Sequence, residues 1–586
     1  MDNSVINREN FKFAFKNVTY NIGVENKFFR RKARTILNQI SGEFRANEIS
    51  AIIGLSGSGK STLLDCLSGF RKNYTNGSFL INDNEISVET IKRLSSYFMQ
   101  EQTLHPFLTV TEILIFSLSM KGGDNLKENE KNLRIEQILE KLSITNRNNT
   151  LIKDLSGGEK KRLQIAIELV RDPKILFLDE PTTNLDSFST VQCINFLKSL
   201  TREQKTVICT IHQPSASIFK MFDHIYAISN GFCIYQGSSK NLISFLKELG
   251  LTCPLHYNPA DFLLEIANND YGNYNKLLID KIENGKRNYE NYDESKFDTN
   301  SIEVFTKEKN YKENSVSYFY QVHHLMLRTF LSTTRDRTLF FMRFGLHLII
   351  GIAFGFIYKD IGRKGSIALD NYRFAIISIC FLLYTSYHSL YAKFPLEFPI
   401  IKREHFNGLY GAKAYYTAMI LFDAPIILIC CIIYTSITFF LTDQPLELYR
   451  YLMFLMICLV MSYAAQSLGI MFTSLMNIQM TTTFGTIIMM PFFLFSSFVI
   501  FSKDTHPFLI YLFDANFMNM AFKGSVNSII GLNRTKFECD EFYCHYSDPK
   551  KILRDFEMNV DMTHAVLTLM ITYDLEMIFV LKEEEI

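Results

Sequence analysis

The sequence predicts an α/β domain over residues 1–267, then a polar linker over 268–315, then an all-α transmembrane domain of six helices over 316–586. Three observations predict this. A strand-like run, Glu48 to Ile53, leads into Gly54-Leu-Ser-Gly57-Ser-Gly59-Lys60-Ser61-Thr62, which then turns helical. Further short β-like runs such as Ile175 to Leu178 alternate with helical patterns, as in a largely parallel sheet flanked by helices. From about Phe340 onward, apolar runs recur at a spacing that no soluble domain tolerates.

A chain of 586 residues is too long for one core. Its net charge of +1 lacks the basic excess that nucleic-acid binding needs, and Lys and Arg are spread rather than gathered, so nucleic acid is not an expected partner. The eleven cysteines form no CxxC pair, which argues against a thiolate metal site. Met1 to Phe15 is polar and lacks the apolar core of a cleavable signal, so a cytosolic N-terminus is expected.

The glycine-rich stretch carries the first chemistry. In such a loop backbone N–H groups turn inward around phosphates, and the helix that follows adds positive potential. Lys60 then reaches the β and γ phosphates of ATP and Ser61 offers an oxygen to Mg²⁺, with Gly54, Ser56, Gly57, Ser58, Gly59 and Thr62 forming the rest of the cradle. The run Ile175 to Leu178 ends in Asp179-Glu180, so both acids emerge at the carboxyl edge of the sheet, where ligands of such folds bind. Asp179 suits the metal, and Glu180 suits a general base that polarises the attacking water. Leu155-Ser156-Gly157-Gly158-Glu159 opens an amphipathic helix from Lys160 to Arg171, with Ser156 as N-cap. This is a second phosphate-facing terminus. A domain needs only one for its own ATP, and the simplest use of the other is to cover ATP held by a second copy.

These blocks resemble the cassette of ATP-binding cassette transporters, and Leu155 to Glu159 matches that family's signature. Cassettes of the family pair head to tail, which implies that Ser156, Gly157, Gly158 and Glu159 complete the partner's site. By the same resemblance Gln100, in Tyr97-Phe-Met-Gln100, matches the glutamine that touches the metal and faces the membrane domain. His212 matches the switch histidine at the γ-phosphate. Asp186 stands in the loop that communicates across the dimer, with Asn184 where the family has a small residue, a departure that bears on coupling. Tyr20 is the candidate to stack on adenine, and an ordinary strand-end tyrosine is an equally open reading.

The stretch Asn268 to Ser315, rich in Asn, Tyr, Lys and Glu, reads as a flexible linker. Tyr318 to Thr338 reads as an amphipathic helix along the inner membrane surface. The six apolar runs are Phe340–Tyr358, Phe374–Tyr391, Tyr416–Leu441, Tyr449–Leu475, Ile478–Phe501 and Ala565–Leu581. Lys393, Lys402, Arg403 and Lys413 place the connection between the second and third on the cytosolic side. Ser502 to Thr563 then falls outside or in a lumen, with Asn533-Arg534-Thr535 as a glycosylation acceptor pattern and Cys539 and Cys544 as an expected disulfide. Asp574 and Glu576 interrupt the last run, which favours a shorter or tilted span over a functional acid.

The cassette precedes the spans. His212-Gln-Pro-Ser215-Ala-Ser-Ile-Phe219, Tyr257-Asn-Pro259-Ala-Asp261-Phe262 and Arg403-Glu404-His-Phe-Asn-Gly-Leu-Tyr410 resemble subfamily G, the White and breast-cancer-resistance-protein type of half-transporter. The resemblance implies an exporter that works as a dimer, a homodimer being sufficient because every motif is intact. Thr385 and Leu382 stand where multidrug members present a clamping phenylalanine and its nearby asparagine, and Phe498-Val499 where they present paired leucines, which weakens any transfer of drug specificity. Phe381, Tyr384, Phe492, Phe493 and Phe498 suggest a hydrophobic or amphipathic substrate. The leading expectation is ATP-driven export of a lipid, sterol or other amphipath across a plasma or vesicle membrane. The alternative is an ATP-gated channel or non-pumping regulator with the same cassette.

Overall fold

The computed structural model describes residues 11–22, 34–71, 75–99, 103–122, 128–142, 144–170, 172–288, 316–391, 393–475, 478–498, 506–558 and 561–571. It comprises two compact units. One is Met1–Ser317 with Arg403–Leu409, the other Tyr318–Lys402 with Tyr410–Ile586.

The first unit contains β1 (Lys12–Ile22), β2 (Arg34–Arg45), β3 (Ile49–Gly54), β4 (Thr75–Ile81), β5 (Asn84–Ile86), β6 (Ser95–Phe98), β7 (Ile175–Leu178), β8 (Thr206–Thr210), β9 (His224–Ser229) and β10 (Phe232–Ser238). Six of them form one sheet in the order β10-β9-β3-β8-β7-β6, parallel from β9 to β6. Every residue of β3, β7 and β8 is buried, so these strands read as continuous apolar runs rather than alternations. A second, antiparallel sheet, β2-β1-β4-β5, is broken by register shifts that obscure its period in the sequence. Phe15, Phe44 and Tyr226 pack the two sheets together at ring separations of 5.7 to 6.0 Å.

Helices α1 (Lys60–Leu67), α2 (Val88–Leu94), α3 (Val110–Gly122), α4 (Glu128–Lys141), α5 (Gly157–Leu169), α6 (Ser187–Thr201), α7 (Ala216–Phe219), α8 (Leu242–Glu248), α9 (Pro259–Ala267) and α10 (Asn275–Ile282) surround the sheets. The linker expected from Asn268 is corrected here. Leu278 and Ile282 of α10 are buried, and Asn284 Nδ2 donates to the carbonyls of Asn38 and Gln39 while its Oδ1 accepts from the Cys233 N–H at 2.9 Å. Few aliphatics suffice because asparagine amides bridge backbone groups of β2 and β10, so folded cassette extends to residue 288.

The second unit contains α11 (Tyr318–Arg335), α12 (Arg337–Ile357), α13 (Asp370–Tyr391), α14 (Phe394–Phe406, whose last residues belong to the first unit), α15 (Ala412–Leu441), α16 (Leu448–Leu475), α17 (Ile478–Leu494), α18 (Pro507–Ala515), α19 (Phe517–Ile530) and α20 (Pro549–Asp555). Among the described residues two helices, Ala412–Leu441 and Leu448–Thr473, are both long and apolar enough to cross a bilayer, and shorter apolar helices occupy Phe341–Ile357 and Met562–Ile571. Val499, Asp574 and Glu576 lie outside the described residues.

The reading of 502–563 as one polar connection is also corrected. It contains α18 and α19, and every residue of α19 is buried. Its polar residues hid it from a hydropathy reading, yet Asn519 is satisfied inside: its Oδ1 accepts from the N–H and hydroxyl of Ser497, and its amide donates to the Phe513 carbonyl. The end of α19 is closed by Arg450, 1% exposed, which donates to the carbonyls of Ser528, Ile529 and Gly531 at 2.9 to 3.2 Å. A cation on the last turn meets the negative end of the helix dipole and satisfies carbonyls that lack a helical donor. Beyond it Asn533 and Thr535 are exposed, and Cys539 and Cys544 are joined in a disulfide.

Candidate nucleotide site

Three adjacent strands, β3, β8 and β7, end at one edge of the sheet and supply the site. β3 turns through Gly54, where a Cβ would stand 2.4 Å from the Ile228 carbonyl oxygen, so no larger residue fits. The loop enters α1 through Gly59 at φ 107°, a conformation reserved for glycine. Lys60, 6% exposed, folds over this loop, and its Nζ donates to the carbonyls of Gly54 and Leu55 at 2.9 and 3.0 Å. Burial lowers the pKa of Lys60, against the opposing pull of Glu180 and Asp179.

At the end of β7, Asp179 Oδ1 accepts from Ser61 Oγ at 3.0 Å and from Thr210 Oγ1 at 2.6 Å. Burial raises the Asp179 pKa, the charges of Asp65 and Glu180 raise it further, and the two hydroxyls oppose them. Glu180 follows at φ 47°, a left-handed backbone rare outside glycine and asparagine. Its N–H donates to Thr210 Oγ1 at 2.8 Å, and its Oε2 accepts from Thr183 Oγ1 at 2.8 Å. His212, just past β8, brings Nε2 to 3.0 Å from Ser56 Oγ. The structure thus gathers Ser56, Lys60, Ser61, Asp179, Glu180 and His212. Thr210 went unread, although its place at the end of β8, two residues before His212, was visible.

Ser61 and Asp179 present two hard oxygens at one point, and among the described residues no group of three or more His, Cys, Asp or Glu gathers as an all-protein cage. Such a pair fits Mg²⁺, which keeps water and substrate phosphate in most of its shell.

The remaining residues are arranged otherwise. Ser156 and Glu159 form a capping box at α5: the Ser156 N–H donates to Glu159 Oε2 at 2.8 Å and the Glu159 N–H to Ser156 Oγ at 3.3 Å. Against the cost of burial, Ser156 and then Arg147 hold the Glu159 carboxyl below its ordinary range. Gly157 is exposed, and a Cβ there would meet nothing within 4 Å, so the terminus is open. Asp186 caps α6 at the Ser189 N–H. Asn184 sits at φ 64°, which asparagine tolerates better than other side chains. Tyr20 is 6% exposed, its hydroxyl accepts from Arg71 and the same guanidinium lies 5.3 Å from its ring centroid, so it is the ordinary strand tyrosine of the two readings. Gln100 lies outside the described residues.

Edge strand β6 is completed from a distant part of the chain. Asn407 Oδ1 accepts from the Tyr97 N–H, and its Nδ2 donates to the Tyr97 carbonyl, both at 3.2 Å, and to Glu168 Oε2 of α5 at 2.8 Å. One amide thus acts as a peptide group paired to the sheet edge. Tyr97 in turn donates its hydroxyl to Asp65 of α1 at 2.6 Å. Asn407→Ala is expected to destabilise the cassette by about 2 kcal/mol, since it removes the partner of buried backbone groups of Tyr97 and one bond to the Glu168 carboxylate. A lower cassette melting transition in the purified full chain checks this.

Comparison with known proteins follows the same division. Residues 37–183 match the ABC transporter family and residues 320–530 the ABC-2 type transporter family, with a further ABC-2 type match over 212–277. The chain is 31% identical over 502 residues to ABC transporter G family member 22 of Dictyostelium discoideum, covering 82% of this chain and 79% of that one. It belongs to the G family of ABC transporters. ABC transporter G family member 4 of Arabidopsis thaliana is 32% identical, covering 80% of this chain and 79% of its own. Protein scarlet of Drosophila melanogaster is 30% identical, covering 76% and 70%. As a G-family half-transporter, the chain is a membrane protein with an N-terminal cytosolic cassette that binds ATP and couples its hydrolysis to transport. Two motifs that carried the resemblance meet in space, for Asn258 Nδ2 donates to the Pro214 carbonyl at 2.8 Å.

Proposed function

We propose that two copies of this half-transporter pair head to tail and use ATP to export a lipid, sterol or other amphipath. The observation that carries the pairing is the α5 terminus, capped, exposed and open at Gly157. It is built to meet an anion, while the chain's own phosphate loop lies at the ends of β3, β8 and β7. In the pair, Ser156 to Glu159 of one copy close over ATP held by Lys60 and residues 54–62 of the other, with Asp186 beside the junction.

Within each site Lys60 leaves the loop carbonyls for the β and γ phosphates. Ser61 and Asp179 would hold Mg²⁺, with Gln100 assigned to the same ion from its family position, and when bound it would supply positive charge against the phosphates. Glu180, oriented by Thr183, accepts the proton of the attacking water, and His212 marks the γ-phosphate from the loop side.

The nature of the cargo rests on the second unit. Leu382 is fully buried, Thr385 Oγ1 lies 3.3 Å from His347 Nε2, and Phe498 packs on Tyr372 and Phe522. The positions that serve drug clamping in multidrug members are thus engaged in packing. Tyr384, at 53%, is the strongly exposed aromatic of the five singled out in the sequence, and apolar Met480, Phe484 and Ile487 are exposed along α17. Vesicles of phosphatidylcholine carrying radiolabelled cholesterol and a fluorescent phosphatidylcholine test the reading. Uphill, vanadate-sensitive movement of either probe is expected, whereas downhill flux that merely opens with ATP supports the channel alternative.

A further inference from the structure

Helix α15 runs unbroken from Ala412 to Leu441 with Pro425 inside it. Proline has no N–H, so the carbonyl of Leu421 loses its helical donor, and the ring crowds that carbonyl. Bends in long helices concentrate at such points.

The backbone just before this proline is gripped from two neighbouring helices. Asp423, 6% exposed, accepts from both terminal nitrogens of Arg343 on α12, at 2.6 and 3.1 Å. It also accepts from Gln466 Nε2 on α16. Three residues before that glutamine, Tyr463 donates its hydroxyl to the Ala424 carbonyl at 3.0 Å. Arg343 is steadied by its own helix: His347 Nδ1 donates to the Arg343 carbonyl at 2.8 Å, and His347 Nε2 faces Thr385 of α13. A carbonyl only accepts, so Nδ1 carries a proton.

An ion pair within an apolar bundle is costly to place and marks function more often than mere packing. Here it sits at the one point of α15 where the backbone is weakest. α15 also begins directly after Arg403–Leu409, the segment that belongs to the cassette unit. A displacement of that segment enters α15 at Ala412 and meets no weaker point before Pro425.

We propose that Asp423–Pro425 is a hinge in α15, latched by Arg343, Gln466 and Tyr463, and that the latch opens when the cassette is trapped with nucleotide. Arg343 and Gln466 are positioning residues: they act on α15, not on ATP. The test is hydrogen exchange of the peptide spanning residues 416–430, in the full-length protein in phosphatidylcholine nanodiscs, with and without MgATP and vanadate. The wild type is expected to exchange at least two-fold faster in the trapped state. Pro425→Ala should bind ATP normally but lose that response. Asp423→Asn should exchange fast without nucleotide, and the exchange R343D with D423R should restore the wild-type response. Where Asp423→Asn fails to fold, Gln466→Leu gives the same reading with one bond removed. Exchange that ignores nucleotide in the wild type, or a Pro425→Ala chain that responds like the wild type, overturns the hinge.

Discussion

Glu180→Gln is expected to halt turnover while ATP binding survives, with kcat falling 10²- to 10⁴-fold, the range that a positioned general base contributes. The substitution isolates chemistry from architecture. Gln keeps the length of the side chain, the carboxamide still accepts from Thr183 Oγ1, and the backbone bond to Thr210 at 2.8 Å is untouched. Lys60, Ser61 and Asp179, the residues proposed to hold the nucleotide and its metal, are unaltered. What disappears is the capacity to take a proton from water. The measurement is steady-state ATPase in nanodiscs beside equilibrium binding of a fluorescent ATP analogue. Hydrolysis at the wild-type rate removes Glu180 from the role of base and turns attention to His212.

The strands of the candidate site were legible because they obey local rules. β3 and β7 are buried on both faces, so their apolar runs stand out, and the loop and the acids follow each directly. Ser156 and Glu159 form a capping box three residues apart, a pattern that needs no tertiary knowledge. What escaped depends on contacts between distant residues. Asn407 completes β6 across 310 positions of sequence, and one asparagine in a basic connection announces nothing. α19 was passed over because Asn519 and Lys523 lower its hydropathy, although the fold buries both. Arg343 and Asp423 lay inside runs read as apolar, where averaging over a window hides two charges that cancel only in three dimensions. Tyr20 and Asn284 show the same limit in the cassette: their roles are set by Arg71 and by the backbone of β2, which no spacing reveals.

The proposed head-to-tail arrangement leads to the second large effect, a recovery rather than a loss. A chain carrying Lys60→Met has no cation for the phosphates, and a chain carrying Gly158→Asp brings a carboxylate against the partner's ATP. Each alone should be inactive. Gly158 has limited room, since a Cβ there would stand 3.1 Å from Ser189 Oγ, so the variant's melting transition must first match the wild type. In a mixed dimer both defects fall in the same composite site: the Lys60→Met loop faces the Gly158→Asp terminus. The other site pairs an intact loop with an intact terminus. Random mixing makes about half of the dimers mixed, each with one working site of two, so co-expression should restore roughly a quarter of wild-type ATPase if the sites act independently. Sites closed within a single chain give no recovery, because every chain then carries a defect of its own. The ratio of activity in the mixture to that in the separate variants therefore decides whether Ser156 to Glu159 serve the chain that bears them or its partner.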